Sequence, residues 1–278
     1  TIIINHLNGL YTQISHLKKD SFKVNIGDYV TKGTVLASCG NSGRSPEPHL
    51  HFQVQLSPEI GAKTHPYPFG YYFEKTNDKP ILRMGEVPAE NSTIYNVDSL
   101  DLIHNAFNFK PGKELNISFN GEKLSWIVAT NEYNQTYIFC KKSKSTAYFV
   151  NDGTMFYFTD FEGRKNSALY TFYRSCFKLL LAGERSIKIK DRIPLSKELP
   201  LAVKWLQDFI APVVLVSQVN FSSQLNQLDN PYYPEHAEFV NRVEVKSFGK
   251  KQPVTEYKIA ISQSKIDIRS EKQNLCIE

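Results

Sequence analysis

Cys39-Gly40-Asn41-Ser42-Gly43-Arg44-Ser45-Pro46-Glu47-Pro48-His49-Leu50-His51-Phe52-Gln53-Val54 runs a Gly-, Ser- and Pro-rich loop straight into two histidines at i and i+2. Residues i and i+2 of a β-strand project from one face, so the pattern predicts a strand carrying His49 and His51 side by side, with Leu50 and Phe52 turned into a core. Neutral imidazole is the commonest metal ligand and titrates nearest neutral pH. A same-face pair can therefore hold a metal, move a proton, or divide the two tasks. Alone, His-x-His is also the pattern of surface or hydrogen-bonded core histidines, so the surrounding chain has to decide.

Toward the N-terminus, Thr1-Ile2-Ile3-Ile4-Asn5-His6 reads as a strand and Leu7-Asn8-Gly9 as a turn. Leu10-Tyr11-Thr12-Gln13-Ile14-Ser15-His16-Leu17 reads as the returning strand of a hairpin. The hairpin is entered in mid-flow, with no initiator Met or signal-peptide pattern before it, and we expect a piece of a longer protein. From Ser21, the runs Val24-Asn25-Ile26-Gly27, Val30-Thr31-Lys32-Gly33 and Val35-Leu36-Ala37-Ser38-Cys39-Gly40 alternate apolar residues with Gly turns. They predict a compact sheet of short strands. Lipoyl-like β-sandwich carrier or adaptor modules use a similar beat without a metal, and that reading stays open on rhythm alone.

Taken together, residues 1–74 resemble the lysostaphin-type zinc metalloendopeptidases of bacterial peptidoglycan. The matching pieces are Asn8-Gly9-Leu10-Tyr11-Thr12 leading to Ser15-His16-Leu17, then Val24-Asn25-Ile26-Gly27-Asp28-Tyr29-Val30-Thr31-Lys32-Gly33, then Gly40-Asn41-Ser42-Gly43-Arg44-Ser45 and His49-Leu50-His51-Phe52. The resemblance implies that His51 is a ligand of Zn2+ and that His49 and His16 are catalytic histidines flanking the metal. Zinc lowers the pKa of bound water to roughly 7 and polarises the scissile carbonyl, while neighbouring imidazoles shuttle the proton or donate to the developing oxyanion. It also implies stem or crosslink peptides of peptidoglycan as substrate, and a periplasmic or extracellular place in the cell envelope.

The pattern departs from the family at one decisive place. The family completes its zinc site with a His-x-x-x-Asp motif upstream of the segment with which this chain begins. A catalytic zinc needs three protein ligands and an open position. Either the other ligands lie upstream, or the domain is catalytically incomplete and holds peptidoglycan or regulates another hydrolase, for example within a longer membrane protein such as a transporter fusion. His16-Leu17-Lys18-Lys19-Asp20 does read His-x-x-x-Asp, yet it occupies the place of the family's catalytic histidine, and Asp20 reads as a solvated loop charge. His6 reads as a strand-end polar residue, and His65, within Thr64-His65-Pro66-Tyr67-Pro68-Phe69, as part of a rigid proline-rich exit. Gln53 stands where the family frequently has Glu, and Pro46-Glu47-Pro48 replaces a Gly-Pro approach while still holding Glu47 extended.

Beyond the resemblance, the polar stretch 75–84 reads as a linker and 85–278 as an accessory domain of α+β class and unrecognised fold. Thr136-Tyr137-Ile138-Phe139-Cys140 and Ala147-Tyr148-Phe149-Val150 predict strands, and Asn151-Asp152-Gly153 a turn into Thr154-Met155-Phe156-Tyr157-Phe158. Helical spacing predicts helices over 166–182, capped by Gly183, and over 201–210. Val243 and Val245, then Tyr257, Ile259 and Ile261, alternate as strands, and Ile266 and Ile268 resume on the opposite parity, which calls for a bulge or a new strand. The whole chain therefore reads as mainly β with α+β character.

Composition narrows the classes of function. Hydrophobic residues at 41% and charged residues at 22% are those of an ordinary globular chain. The net charge of +5 is distributed over both parts, which predicts no basic patch and no nucleic-acid partner. Four cysteines form neither a Cys-x-x-Cys pair nor a dense framework. No apolar run reaches the roughly 18 residues of a transmembrane helix, so any membrane anchor would lie upstream. His104 and His236 are solitary and read as structural or surface residues.

Overall fold

The computed structural model describes residues 1–194, 217–247, 250–263 and 265–278. The chain divides into two compact units, Thr1–Gly70 with Met84–Asn91, and Tyr71–Arg83 with Ser92–Glu278.

In the first unit, β1 (Ile2–Asn5), β2 (Tyr11–Ser15) and β3 (His51–Gln55) form an antiparallel sheet in the order β1-β2-β3. The register sets two unlike faces. Ile2, Ile14 and Phe52 align across the sheet, as do Ile4, Thr12 and Val54, and make one face largely apolar. Ile3, Gln13 and Gln53 align on the other, beside the row Asn5, Tyr11 and Gln55 and the pair Ser15 and His51. The strand alternation expected from the sequence holds from His51 onward, and two parts of that reading are corrected. The strand begins only at His51, leaving His49 in the loop, where its ring bonds back to the Glu47 carbonyl. Leu50 and Phe52 are 52% and 47% exposed rather than buried in a core. Phe52 meets Phe69 edge-on at 6.0 Å, while Val54 on the same face is buried.

The short strands expected over 21–40 do not form either. Asn25 N–H donates to the Asp28 carboxylate and Asp28 N–H to the Asn25 carbonyl, closing a turn with Gly27 at φ +95°. A second turn closes between Thr31 and Thr34, with Gly33 at φ +91°. Positive φ at both glycines folds the chain back before a ladder can extend. Three backbone bonds anchor this excursion: Lys23 N–H to Leu36 O (2.8 Å), Lys18 N–H to Ser38 O (2.9 Å) and Gly40 N–H to His16 O (2.9 Å).

The chain continues through β4 (Phe69–Glu74), a turn in which Thr76 Oγ1 donates to Lys79 O, β5 (Ile81–Glu86), β6 (Ile94–Tyr95) and α1 (Asp101–Ala106). A large antiparallel sheet then dominates the second unit. Its first half is β7 (Glu114–Phe119), β8 (Glu122–Thr130), β9 (Thr136–Cys140), β10 (Ser145–Asn151), β11 (Met155–Glu162) and, after α2 (Ala168–Ser175), β12 (Lys178–Leu180). The second half is β13 (Lys188–Arg192), β14 (Ser217–Leu228), β15 (Ala237–Ser247), the short β16 (Lys250–Lys251), β17 (Thr255–Ser262), β18 (Lys265–Arg269) and β19 (Asn274–Ile277). Among the described residues the ladder runs β12-β11-β10-β9-β8-β7-β19-β18-β17-β15-β14-β13, with β16 hung on β15. The two meanders are joined by β19 and β7, the most distant strands in sequence. The two ends of the ladder, β12 and β13, lie next to each other, and Lys178 Nζ reaches Asp191 Oδ2 at 2.8 Å. The sheet therefore curls back on itself into a near-closed barrel.

Alternation along these strands fills the interior. Leu115 and Ile117, Trp126 and Val128, Phe239 and Val243, and Tyr257, Ile259 and Ile261 are all buried in one cluster. Against it packs α2, on which Ala168, Leu169, Tyr170, Thr171, Phe172, Tyr173 and Ser175 are buried. Removing a side chain the size of Phe172 from water contributes roughly 2–3 kcal/mol, so the helix is held by its surroundings more than by its own length. Ser167 caps it, accepting from Tyr170 N–H at 3.1 Å, and Asn241 of β15 donates to the last carbonyl, Ser175 O, at 2.7 Å.

Several sequence expectations hold here: strands over 136–140 and 147–150, the Asn151-Asp152-Gly153 turn, and a new strand for Ile266 and Ile268. The helix expected over 166–182 is corrected to the shorter α2, with Cys176 and not Gly183 at its C-terminal boundary. Residues 178–180 instead pair with β11 as Lys178↔Tyr157, Leu179↔Phe156 and Leu180↔Met155. A continuous apolar run suits a buried strand as well as a buried helix, and β11 supplied the free edge. The helix expected over 201–210 lies outside the described residues. No helix among the described residues is long and apolar enough to cross a membrane.

Candidate active site

Pairing of Ser15 with His51 places the end of β2 beside the start of β3, and His16, the next residue, turns into the left-handed region at φ 59°. That turn swings its ring across the strand ends. The His16 and His49 ring centroids lie 4.7 Å apart, and those of His16 and His51 5.8 Å apart. His16 and His49 are half-buried and His51 is exposed, so the cluster is open to solvent.

Each imidazole is anchored through one nitrogen. His16 Nδ1 lies 2.8 Å from Ser42 O, a carbonyl that can only accept, so Nδ1 carries the proton and Nε2 is left to act. His49 Nδ1 lies 2.8 Å from Glu47 O and 3.1 Å from Ser45 Oγ, which itself donates to Glu47 O, with the same consequence for Nε2. His51 is opposite in sense, and a chain of amides assigns it. The buried Gln55 gives its Nε2 to the Ser57 and Glu59 carbonyls, so its Oε1 faces Gln53 Nε2 at 2.8 Å. Gln53 Nε2, also donating to Ala62 O, leaves its Oε1 to accept from His51 Nε2 at 2.9 Å. The free lone pair of His51 is therefore on Nδ1. Fixing a ligand's tautomer through its other nitrogen is the usual support for a metal-binding histidine. The Gln53–Gln55 relay was not read from sequence, although its i, i+2, i+4 spacing from His51 was the available signal.

Residues 1–63 match the model of Peptidase family M23. The match covers 63 of the 278 residues and includes all three clustered histidines. At this coarse level the segment is similar to that peptidase family. No curated protein and no solved structure matches the chain.

The zinc implied by the M23 match can be tested against the donors present. Among the described residues no group of three or more His, Cys, Asp or Glu is arranged to hold a metal ion. His51 Nδ1 is one oriented donor, so the fit is partial. Asp20, at φ 59° in an exposed turn, joins no such group with His16. His6 bonds to Thr12 Oγ1 at 2.6 Å, and His65 is tied by its backbone N–H to Val54 O.

Proposed function

We propose that residues 1–63 form the histidine side of a zinc-dependent endopeptidase site that cuts peptide bonds in the stem or crosslink peptides of bacterial peptidoglycan, in the cell envelope. The observation that carries this reading is the convergence of three imidazoles, each pinned at one nitrogen, inside the M23-matched segment. A module that only binds has no physical need for that arrangement.

His51 would contribute Nδ1 to the metal, the remaining donors lying outside the described residues. When bound, zinc supplies an acidified water and polarises a carbonyl. The chain's own residues do the rest. His16 and His49 present their Nε2 atoms from rings tilted by 52°, so one can take a proton while the other donates to an oxygen gaining negative charge. The carbonyls of Ser42 and Glu47 keep both rings from turning away.

Release of free amines from purified peptidoglycan tests the assignment. With His49→Ala or His16→Ala, turnover should fall about 100-fold or more while bound zinc is largely retained. Unchanged turnover with His49→Ala contradicts its role. A second reading, a catalytically incomplete domain that holds peptidoglycan or regulates another hydrolase, is favoured by the lack of a three-donor group among the described residues. It predicts peptidoglycan binding that His51→Ala leaves intact, with no cleavage.

A further inference from the structure

The distributed net charge conceals a local excess. In Lys188-Ile189-Lys190-Asp191-Arg192, strand parity sends Ile189 into the core and turns Lys188, Lys190 and Arg192 outward, roughly 7 Å apart along β13. Among the described residues none of these three cations has a carboxylate within ion-pair distance, whereas the charges around them are matched. Asp191 is held by Lys178 at 2.8 Å and Arg242 by Glu256 at 2.9 Å, while Glu244 lies 3.8 Å from both Lys246 and Lys251. The register sets Lys190 beside Ser222 and Arg242, and Arg192 beside Asn220 and Glu244. The outer face of β13, β14 and β15 is thus a groove of about 720 Å³ with a row of cations on one wall and hydroxyl and amide groups on its floor.

We propose that this groove docks a linear phosphodiester polymer without bases, of the polyol-phosphate kind, with Lys188, Lys190 and Arg192 each meeting a phosphate and Asn220 and Ser222 meeting the polyol between them. The even spacing calls for an extended polyanion and not a single phosphate. Single-stranded nucleic acid is disfavoured because its binding uses exposed aromatic platforms, and the one aromatic residue in the lining, Phe221, is 1% exposed. A membrane surface is disfavoured because Val254 is the one exposed large apolar residue of the lining. The inference is independent of the peptidase reading.

The test is binding of fluorescently labelled poly(glycerol phosphate) to the whole chain over a range of salt. Three displaced counterions give a slope of log K against log salt of about −2, at roughly 0.7 per contact. The combined Lys188→Gln, Lys190→Gln and Arg192→Gln variant should bind about a hundredfold more weakly at low salt, near fivefold per cation. Lys190→Gln alone should flatten the slope by about 0.7 and serves if the combined variant does not fold. A control with the same charge change at the exposed Lys110, Lys123 and Lys141 should bind as the parent does. The proposal is overturned by absence of binding, by equal loss in the control, or by tighter binding of an oligothymidylate or of anionic vesicles than of the polyol phosphate.

Discussion

Gly40→Ala should loosen the loop of the candidate site without touching a histidine. Gly40 has no positive φ to protect, so only space forbids a side chain. A Cβ there would lie 2.4 Å from Lys18 N, 2.5 Å from Lys18 Cα and 2.8 Å from Leu17 C, where ordinary contact begins at 3.4 Å. The obstacles are backbone, so the loop and the end of β2 must part by about 1 Å, at an overpacking cost of roughly 1–3 kcal/mol. Parting weakens the Gly40 N–H to His16 O and Lys18 N–H to Ser38 O bonds, each 2.9 Å, at about 0.5–1.5 kcal/mol apiece. The sum, about 2–6 kcal/mol, should speed exchange of the Lys18 amide by about 30-fold at the least and about 20,000-fold at the most, at roughly 1.4 kcal/mol per factor of ten. The Ser42 carbonyl should then release His16 Nδ1. Gly33→Ala is the control: its φ of +91° makes it strained, but nothing lies within 4 Å of the added Cβ, so Lys18 exchange should not change. Hydrogen exchange followed residue by residue reads both. Parent-like protection of Lys18 in Gly40→Ala would refute the close approach on which the site geometry depends.

Other consequences are as specific. In the metal-free parent, imidazole 15N spectra should show His51 protonated at Nε2, and Gln53→Ala should give a mixture of tautomers; a mixture already present in the parent would remove the amide relay. Asn241→Ala should lower the stability of the second unit by about 2–4 kcal/mol in denaturant unfolding, because it strands the Ser175 carbonyl in the core and leaves a cavity; a loss under 1 kcal/mol would mean the bond caps nothing. Burial pushes the Cys176 thiol up to about 12, and burial with the nearby Asp152 carboxylate pushes the Tyr71 phenol up to about 12. Both groups stay neutral in the folded chain while their unfolded counterparts ionise at their ordinary values of 9.0 and 10.0, so stability present below pH about 9 should decline between about 9 and 12, and a flat pH profile there would contradict it. Near pH 8, a thiol reagent should label the exposed Cys39 first and leave Cys140 and Cys176 unmodified until unfolding.

What could be read from the sequence followed from local rules. Parity put His51 and Phe52 on opposite faces, as β3 has them, but His49 and Leu50, read onto the same strand, precede it; the rings of His16, His49 and His51 lie close together. What could not be read depended on partners distant in sequence. Val24, Val30 and Val35 carried a strand-like beat, but the glycines between them take positive φ and no ladder forms. Leu179 and Leu180 suited a helix equally well, and only the free edge of β11 decided for a strand. Pairing of β7 with β19 spans nearly the whole second unit, and no local pattern announces it. The stripe Lys188, Lys190 and Arg192 was hidden because Asp191 lies between its members in sequence yet leaves their face to pair with Lys178.

Zinc content per chain, measured by elemental analysis on these 278 residues and on the chain extended upstream in its open reading frame, tests the peptidase account most directly. About one equivalent in the extended chain, lost with His51→Ala, is the predicted result. Absence of zinc from both chains would contradict the account and favour a domain that binds peptidoglycan without cutting it.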